Sequence, residues 1–201
     1  MTTTELKDYS QFGEQHKILA ALGDEPGRFL DIGAWVPTHF SNTRALYELG
    51  WSGVLVEPSP EPFLALLKEY GNDDRIELVH AAVGFEHCLI PFHATADAVS
   101  TSNAEVHELW KDIGGYYGRF HAPQITLEEI ANQFGGFQFV NIDAEGQSVH
   151  IFHRMIEIGW LPKCICVEHD SRSIEIQQVA QERGYVTTLT NGTNLVLARA
   201  A

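Results

Sequence analysis

The chain has 201 residues, 44% hydrophobic and 20% charged, a composition suited to one globular domain, 1–201, with a sizeable core. Thirteen Lys+Arg against 27 Asp+Glu leave a formal charge of -14; such a surface repels phosphate backbones and points away from nucleic acid as a partner. No apolar run reaches the about eighteen residues that mark a membrane span. The polar stretch Met1–Asp8 carries no apolar h-region, so neither a membrane partner nor a secretory leader is expected. Cys88, Cys164 and Cys166 are odd in number and widely spaced, which argues against a disulfide framework and for a reducing, cytoplasmic location.

In chain order, Arg28–Gly33 reads as a short strand ending in a glycine turn. A helix follows, with Ser41 or Asn42 as cap, Leu46 and Leu49 on one side, and Gly50 as its stop. Gly53–Glu57 is a second strand, ended by Pro58 and Pro60. Phe63, Leu64, Leu66, Leu67 and Tyr70 give a helical apolar face that stops at Gly71-Asn72. Arg75–Ala82 is expected to form a third strand, and Cys88–Thr95 an additional one. Ala96–His121, rich in Gly, Ser, Asn and His, reads as a lid or acceptor-binding insertion; long loops of this kind are commonly functional. Its Gly114-Gly115 and Gly118 permit hinge motion, and Trp110, Tyr116, Tyr117 and Phe120 are rings that can cover a ligand.

Thr126-Leu127-Glu128-Glu129 has the form of a capping box. Its helix ends at Gly135-Gly136, and Phe137–Ile142 is the fourth strand. A helix over Gln147–Ile158, a fifth strand over Lys163–Val167 and a helix over Ile174–Arg183 follow. Cys164 and Cys166 then share one strand face, a packing arrangement rather than a metal site. Tyr185–Thr190 and Asn194–Arg199 are two strands joined through Asn191-Gly192, a hairpin signal. Alternating short apolar strands and helices predict an α/β fold with a mostly parallel sheet and helices on both faces. Closure by an antiparallel hairpin resembles the Rossmann-like sheet of class I methyltransferases.

Ligands of open parallel sheets bind beyond the carboxyl ends of the strands. That rule selects Asp31 and Gly33 after the first strand and Glu57 after the second. It also selects Asp143 and Glu145 after the fourth, and Glu168, His169 and Asp170 after the fifth. Acids collected at neighbouring strand mouths raise one another's pKa and are costly to group without a ligand. Gly33 allows a tight turn and close approach. Glu57 suits a ribose diol. Asp143 and Glu145 can orient a cationic group or an acceptor hydroxyl.

The same segments resemble the FkbM family of S-adenosylmethionine-dependent methyltransferases. Ser10-Gln11-Phe12-Gly13-Glu14 is similar to that family's leader. Phe29-Leu30-Asp31-Ile32-Gly33-Ala34 with Ser41-Asn42-Thr43 resembles its first motif, and Gly50-Trp51-Ser52-Gly53-Val54 running into Val56-Glu57-Pro58 its second. Asn141-Ile142-Asp143-Ala144-Glu145-Gly146 resembles the IDxEG signature, and Cys166-Val167-Glu168 the acid-ended strand beyond it. The resemblance implies a cofactor-binding set of Asp31, Gly33, Ala34, Glu57, Pro58, Ala82 and Asp143. In that set Gly33 and Ala34 line the methionine part, Glu57 holds the ribose, Ala82 faces the adenine, and Asp143 and Glu145 lie beside the transferred methyl group. The loop Trp35-Val36-Pro37-Thr38-His39 departs from the second glycine that many methyltransferases carry.

The activity so implied is methyl transfer, with a small-molecule or carbohydrate hydroxyl as acceptor. Asp143, Glu145, His169 and His121 are candidate bases, Asp143 or Glu145 being favoured. His150 and His153 share a helix face but read as surface or groove residues. A divalent metal held by Asp143, Glu168 and Asp170 is a secondary expectation. A nicotinamide-dependent oxidoreductase would also use Glu57, but the chain lacks the GxGxxG fingerprint. A non-catalytic module of the same fold is the other alternative.

Overall fold

The computed structural model describes residues 6–95, 108 and 116–199. Its strands are β1 (Arg28–Ile32), β2 (Ser52–Val56), β3 (Ile76–Val79), β4 (Ala82–Gly84), β5 (Cys88–Thr95), β6 (Tyr116–Thr126), β7 (Phe139–Ile142), β8 (Cys164–Glu168), β9 (Tyr185–Thr190) and β10 (Asn194–Arg199). Its helices are α1 (Glu14–Leu22), α2 (Arg44–Glu48), α3 (Pro60–Tyr70), α4 (Leu127–Phe134), α5 (Ser148–Glu157) and α6 (Ser173–Glu182). Seven strands form one sheet in the order β3-β2-β1-β7-β8-β10-β9. The first five are parallel, and β10 runs antiparallel between β8 and β9. The α/β fold with a closing antiparallel hairpin is therefore present.

Strand alternation divides the core. Leu30, Ile32, Val140, Ile142, Ile165 and Val167 face α4, α5 and α6, whose Ile130, Phe152 and Ile176 are fully or almost fully buried. Phe29, Phe139, Cys164 and Cys166 point the other way, onto Ile18 of α1, Leu46 of α2 and Leu66 of α3. Because both faces are covered, the central strands are near-continuous apolar runs. Cys164 and Cys166 are thiols packed in this core. No helix among the described residues is long and apolar enough to cross a membrane.

Several elements differ from the sequence reading. Arg75–Ala82 is not one strand. β3 ends at Val79, and β4 begins at Ala82 in a second sheet of order β4-β6-β5. Of the segment 96–121, residues 96–107 and 109–115 lie outside the described residues, while 116–121 belong to β6, antiparallel to β5. Glycine- and histidine-rich composition suggested a loop there, yet Arg119 and His121 are exposed while Ala122 is buried opposite Ile90, a period of two. On α3 only Leu66 and Tyr70 are buried, and Leu64 and Leu67 remain 48% and 47% exposed. α1 was not anticipated, since its apolar positions are few. The capping box is formed: Thr126 Oγ1 accepts from the Glu129 amide, and Glu129 accepts from the Thr126 amide.

Candidate functional site

A cavity of about 410 Å³ opens where β1, β2, β7 and β8 end, within the range of about 300–1,000 Å³ usual for small-molecule sites. The turn after β1 forms its floor. Gly33 and Ala34 both donate to the Val56 carbonyl, and the Asp143 amide donates to Ile32, so three strand ends are laced together. Gly33 has φ +78°, and a Cβ there would stand 1.7 Å from the Asp143 carbonyl oxygen. Only glycine meets both demands.

Each acid at the mouth of β1 and β2 is held by fixed donors. Asp31 is buried. Its Oδ2 accepts from Thr43 Oγ1 at 2.6 Å and its Oδ1 from Asn141 Nδ2 at 2.8 Å. Burial pushes its carboxyl above the ordinary range, against the pull of these two bonds. Glu57, also buried, accepts from the Ser59 amide at 2.6 Å and the Trp35 amide at 2.9 Å. Burial likewise raises it, and the donors oppose the shift. The Trp35 bond sets the path of the unusual loop, in which Trp35 and Phe40 have φ of 47° and 53°. Such values are strained for bulky residues. They gather the rings of Trp35, His39 and Phe40 into one cluster, with Phe40 stacked on both of the others.

The mouth of β7 and β8 is built differently. Asp143, Glu145 and Glu168 each place an oxygen within 4.8 Å of the others. Asp143 is raised to about 7, by burial first and by the charge of Glu145 second. Glu168 is raised too, by burial and then by Asp143 and Asp170, and in its protonated form it donates to the Asp143 carboxylate. Ser148 Oγ takes the Ala144 amide at 2.8 Å and donates to Glu168 Oε2 at 3.0 Å, which fixes the start of α5 against the acids.

All of Asp31, Gly33, Ala34, Glu57, Pro58, Ala82, Asp143 and Glu145 line this one cavity, as does Glu168. Asp170 does not line it, and the three-acid group contains Glu145 in place of Asp170. Among the described residues the carboxylates brought together are Asp143, Glu145 and Glu168, where the sequence named Asp143, Glu168 and Asp170. Asp170 and Ser171 have positive φ, so the chain turns sharply as it leaves β8. His169 and His121 are absent from the lining. His169 Nδ1 accepts from the Ser171 amide and its Nε2 faces the Asn191 carbonyl, so both ring nitrogens are engaged. His153 pairs with Glu175 and His150 is exposed; they form no joint site.

Sequence reasoning did not single out the amide network beneath the floor, in which Asn42 Nδ2 donates to Asn141 Oδ1 at 3.0 Å. A polar residue inside an apolar strand, Asn141, was the available signal. Nor did it find the far wall, where Gln11, Thr193 and Asn194 line the cavity. Glu14, wholly buried at the start of α1, accepts from Asn191 Nδ2 at 2.8 Å and Asn194 Nδ2 at 2.9 Å.

No protein-family model matches the chain, and no curated protein does. Solved structures do share its fold. A methyltransferase FkbM from Methylobacillus flagellatus superposes with a TM-score of 0.55 at 13% identity, over 86% of this chain. The chain spans only 43% of that protein's length. A human methyltransferase 10 domain containing protein gives 0.52 at 12% identity, over 94% of this chain and 80% of its own. Precorrin-6y C5,15-methyltransferase from Geobacter metallireducens gives 0.52 at 12% identity, over 100% and 94%. The fold is thus that of Rossmann-like methyltransferases.

Proposed function

We propose that the chain is an S-adenosylmethionine-dependent methyltransferase acting on a hydroxyl group of a small molecule or carbohydrate. One observation carries this reading. The cavity is lined by Asp31, Glu57, Asp143, Glu145 and Glu168, and among the described residues lining it there is no lysine, arginine or histidine. A site of that charge favours a cationic ligand and repels a pyrophosphate, which weighs against a nicotinamide dinucleotide. The antiparallel β10 inserted beside β8 also departs from the dinucleotide-binding strand order.

Bound S-adenosylmethionine supplies an electrophilic methyl group on a positively charged sulfur. Around it, Glu57 with Pro58 would hold the ribose hydroxyls, and Ala82 would give the adenine an apolar wall. Gly33 and Ala34 would admit the methionine chain. Asp143 and Glu145 would orient the acceptor hydroxyl, and a carboxylate raised toward neutrality is suited to take its proton. Alignment of the reacting atoms supplies most of the acceleration. A second form of the reading adds a divalent ion on Asp143, Glu145 and Glu168, favoured by oxygens that lie within 4.8 Å of one another; loss of turnover in EDTA, restored by Mg²⁺, would select it. Titration calorimetry tests the main reading. Heat on adding S-adenosylmethionine and S-adenosylhomocysteine is expected. Heat with NADH alone would overturn it.

A further inference from the structure

Among the described residues, one buried polar atom in the lining of the cavity has no protein partner. Asn42 lines the cavity and is 7% exposed. Among the described residues no donor reaches its Oδ1. The orientation of that amide is set by a chain of bonds rather than by choice. Thr43 donates to one oxygen of Asp31, and Asn141 Nδ2 to the other. Asn141 therefore presents Oδ1 to Asn42, which must answer with Nδ2 at 3.0 Å. The same Nδ2 also reaches Cys166 Sγ at 3.5 Å. With both N–H groups turned to the core, the carbonyl oxygen is the end of Asn42 that remains to serve a ligand. A buried acceptor left without a donor costs free energy comparable to a lost hydrogen bond, so the arrangement implies a donor that arrives from outside.

We infer that Asn42 Oδ1 accepts a hydrogen bond from the α-ammonium group of the cofactor's amino-acid end, and so makes the site demand a free amine there. The inference rests on the proposed function and adds a specificity-determining contact to it. A cationic donor fits the surroundings better than a neutral one. Gly33, where the amino-acid chain would enter, packs against Asp143, Asn42 lines the same cavity, and no lining side chain among the described residues competes as a cation. Asp31, Asn141 and Thr43 do not touch the ligand in this account. They position the amide, holding its donor end inward and its acceptor end free.

The test compares S-adenosylhomocysteine with its deaminated analogue, which keeps the carboxylate and replaces the ammonium by hydrogen, on the whole chain by calorimetry. Wild type is expected to bind the deaminated analogue about tenfold or more weakly, the worth of one hydrogen bond to a charged group. In Asn42→Ala the ratio should shrink by most of that factor, the acids of the cavity keeping a residual preference for the ammonium. That ratio isolates the contact even if the variant weakens both ligands. If Asn42→Ala melts before titration, the near-isosteric Asn42→Leu, which leaves the bond from Asn141 to Asp31 in place, should show the same fall in the ratio. Equal affinity for both ligands in wild type, or a ratio undiminished in the variant, would overturn the inference while leaving the proposed function intact. Absence of binding by either ligand to wild type would instead overturn the proposed function, and this inference with it.

Discussion

The two halves of the cavity mouth both collect carboxylates, and they treat them in opposite ways. At β1 and β2, Asp31 and Glu57 are buried, and each receives two hydrogen bonds from neutral donors of the protein itself. At β7 and β8, Asp143, Glu145 and Glu168 crowd one another, although Glu168 also accepts from Ser148 Oγ. Fixed donors make the first half a rigid frame, in which Glu57 keeps lone pairs that can read hydroxyls. Crowding makes the second half a place where a proton is retained or a positive charge is welcome. The same residue type thus serves geometry on one side and proton affinity on the other, and what decides between them is the partner, not the acid.

Breaking the frame should have the largest effect. Gly33→Ala forces a Cβ to 1.7 Å from the Asp143 carbonyl at φ +78°. The backbone must shift, at a cost on the order of 3 kcal/mol or more, and binding of S-adenosylhomocysteine should vanish. Urea denaturation with calorimetry checks both, and an unaltered affinity would show that the floor is not where the cofactor rests.

Next come the acids of the second half. Asp143→Asn or Glu145→Gln should lower turnover on a confirmed acceptor by on the order of a hundredfold, as loss of a general base does, with the fold retained by circular dichroism. If both keep near-normal rates, the base lies elsewhere and Glu168 becomes the residue to change. Glu57→Ala, in the frame, should act on binding rather than chemistry. Two charge-assisted bonds to ribose hydroxyls are worth about 1.5–3 kcal/mol each, so a tenfold or greater rise in Kd is expected. A fall in kcat with Kd unchanged would erase the contrast between the halves.

The smallest expected effect is the most direct test of crowding. In the folded chain Asp143 and Glu168 titrate above their unfolded values near pH 4. The native state therefore binds more protons than the unfolded one from about pH 4 upward, and stability must decline as pH rises through that window. Tm should fall between pH 5 and pH 8 in the wild type and fall less steeply in Asp143→Asn. Equal slopes would mean that the pair is not the source.

Much of this was legible because it is written in short-range patterns. The strand pairs Tyr185–Thr190 and Asn194–Arg199 emerge with the expected ends, although the turn works through the Asn191 side chain, which accepts from the amides of Thr193 and Asn194. The acids were found by the rule that strand ends carry ligands, and the rule brings together residues more than a hundred positions apart. What was not legible depends on tertiary partners. That Glu145 joins Asp143 and Glu168 while Asp170 does not, with Glu145, Asp170 and Ser171 at positive φ, is a matter of backbone path that no local pattern displays. The break between Val79 and Ala82 follows from β4 finding β6, a pairing with Gln124, Ile125 and Thr126 that lies some way along the chain.

The bonds from Glu14 to Asn191 and Asn194 join residues 177 and 180 positions apart. Contacts of such separation close late, after the loops between them have been ordered. A chain emerging from the ribosome can pair β1 with β2 and seat α3, but the wall carrying Thr193 and Asn194 must wait until both have been synthesised. Until then Glu14 is a carboxylate without its amides and the cavity lacks a side. Cofactor added during synthesis would therefore meet the full wall only once Asn194 has emerged, and its capacity to speed or rescue folding should be confined to the steps after that.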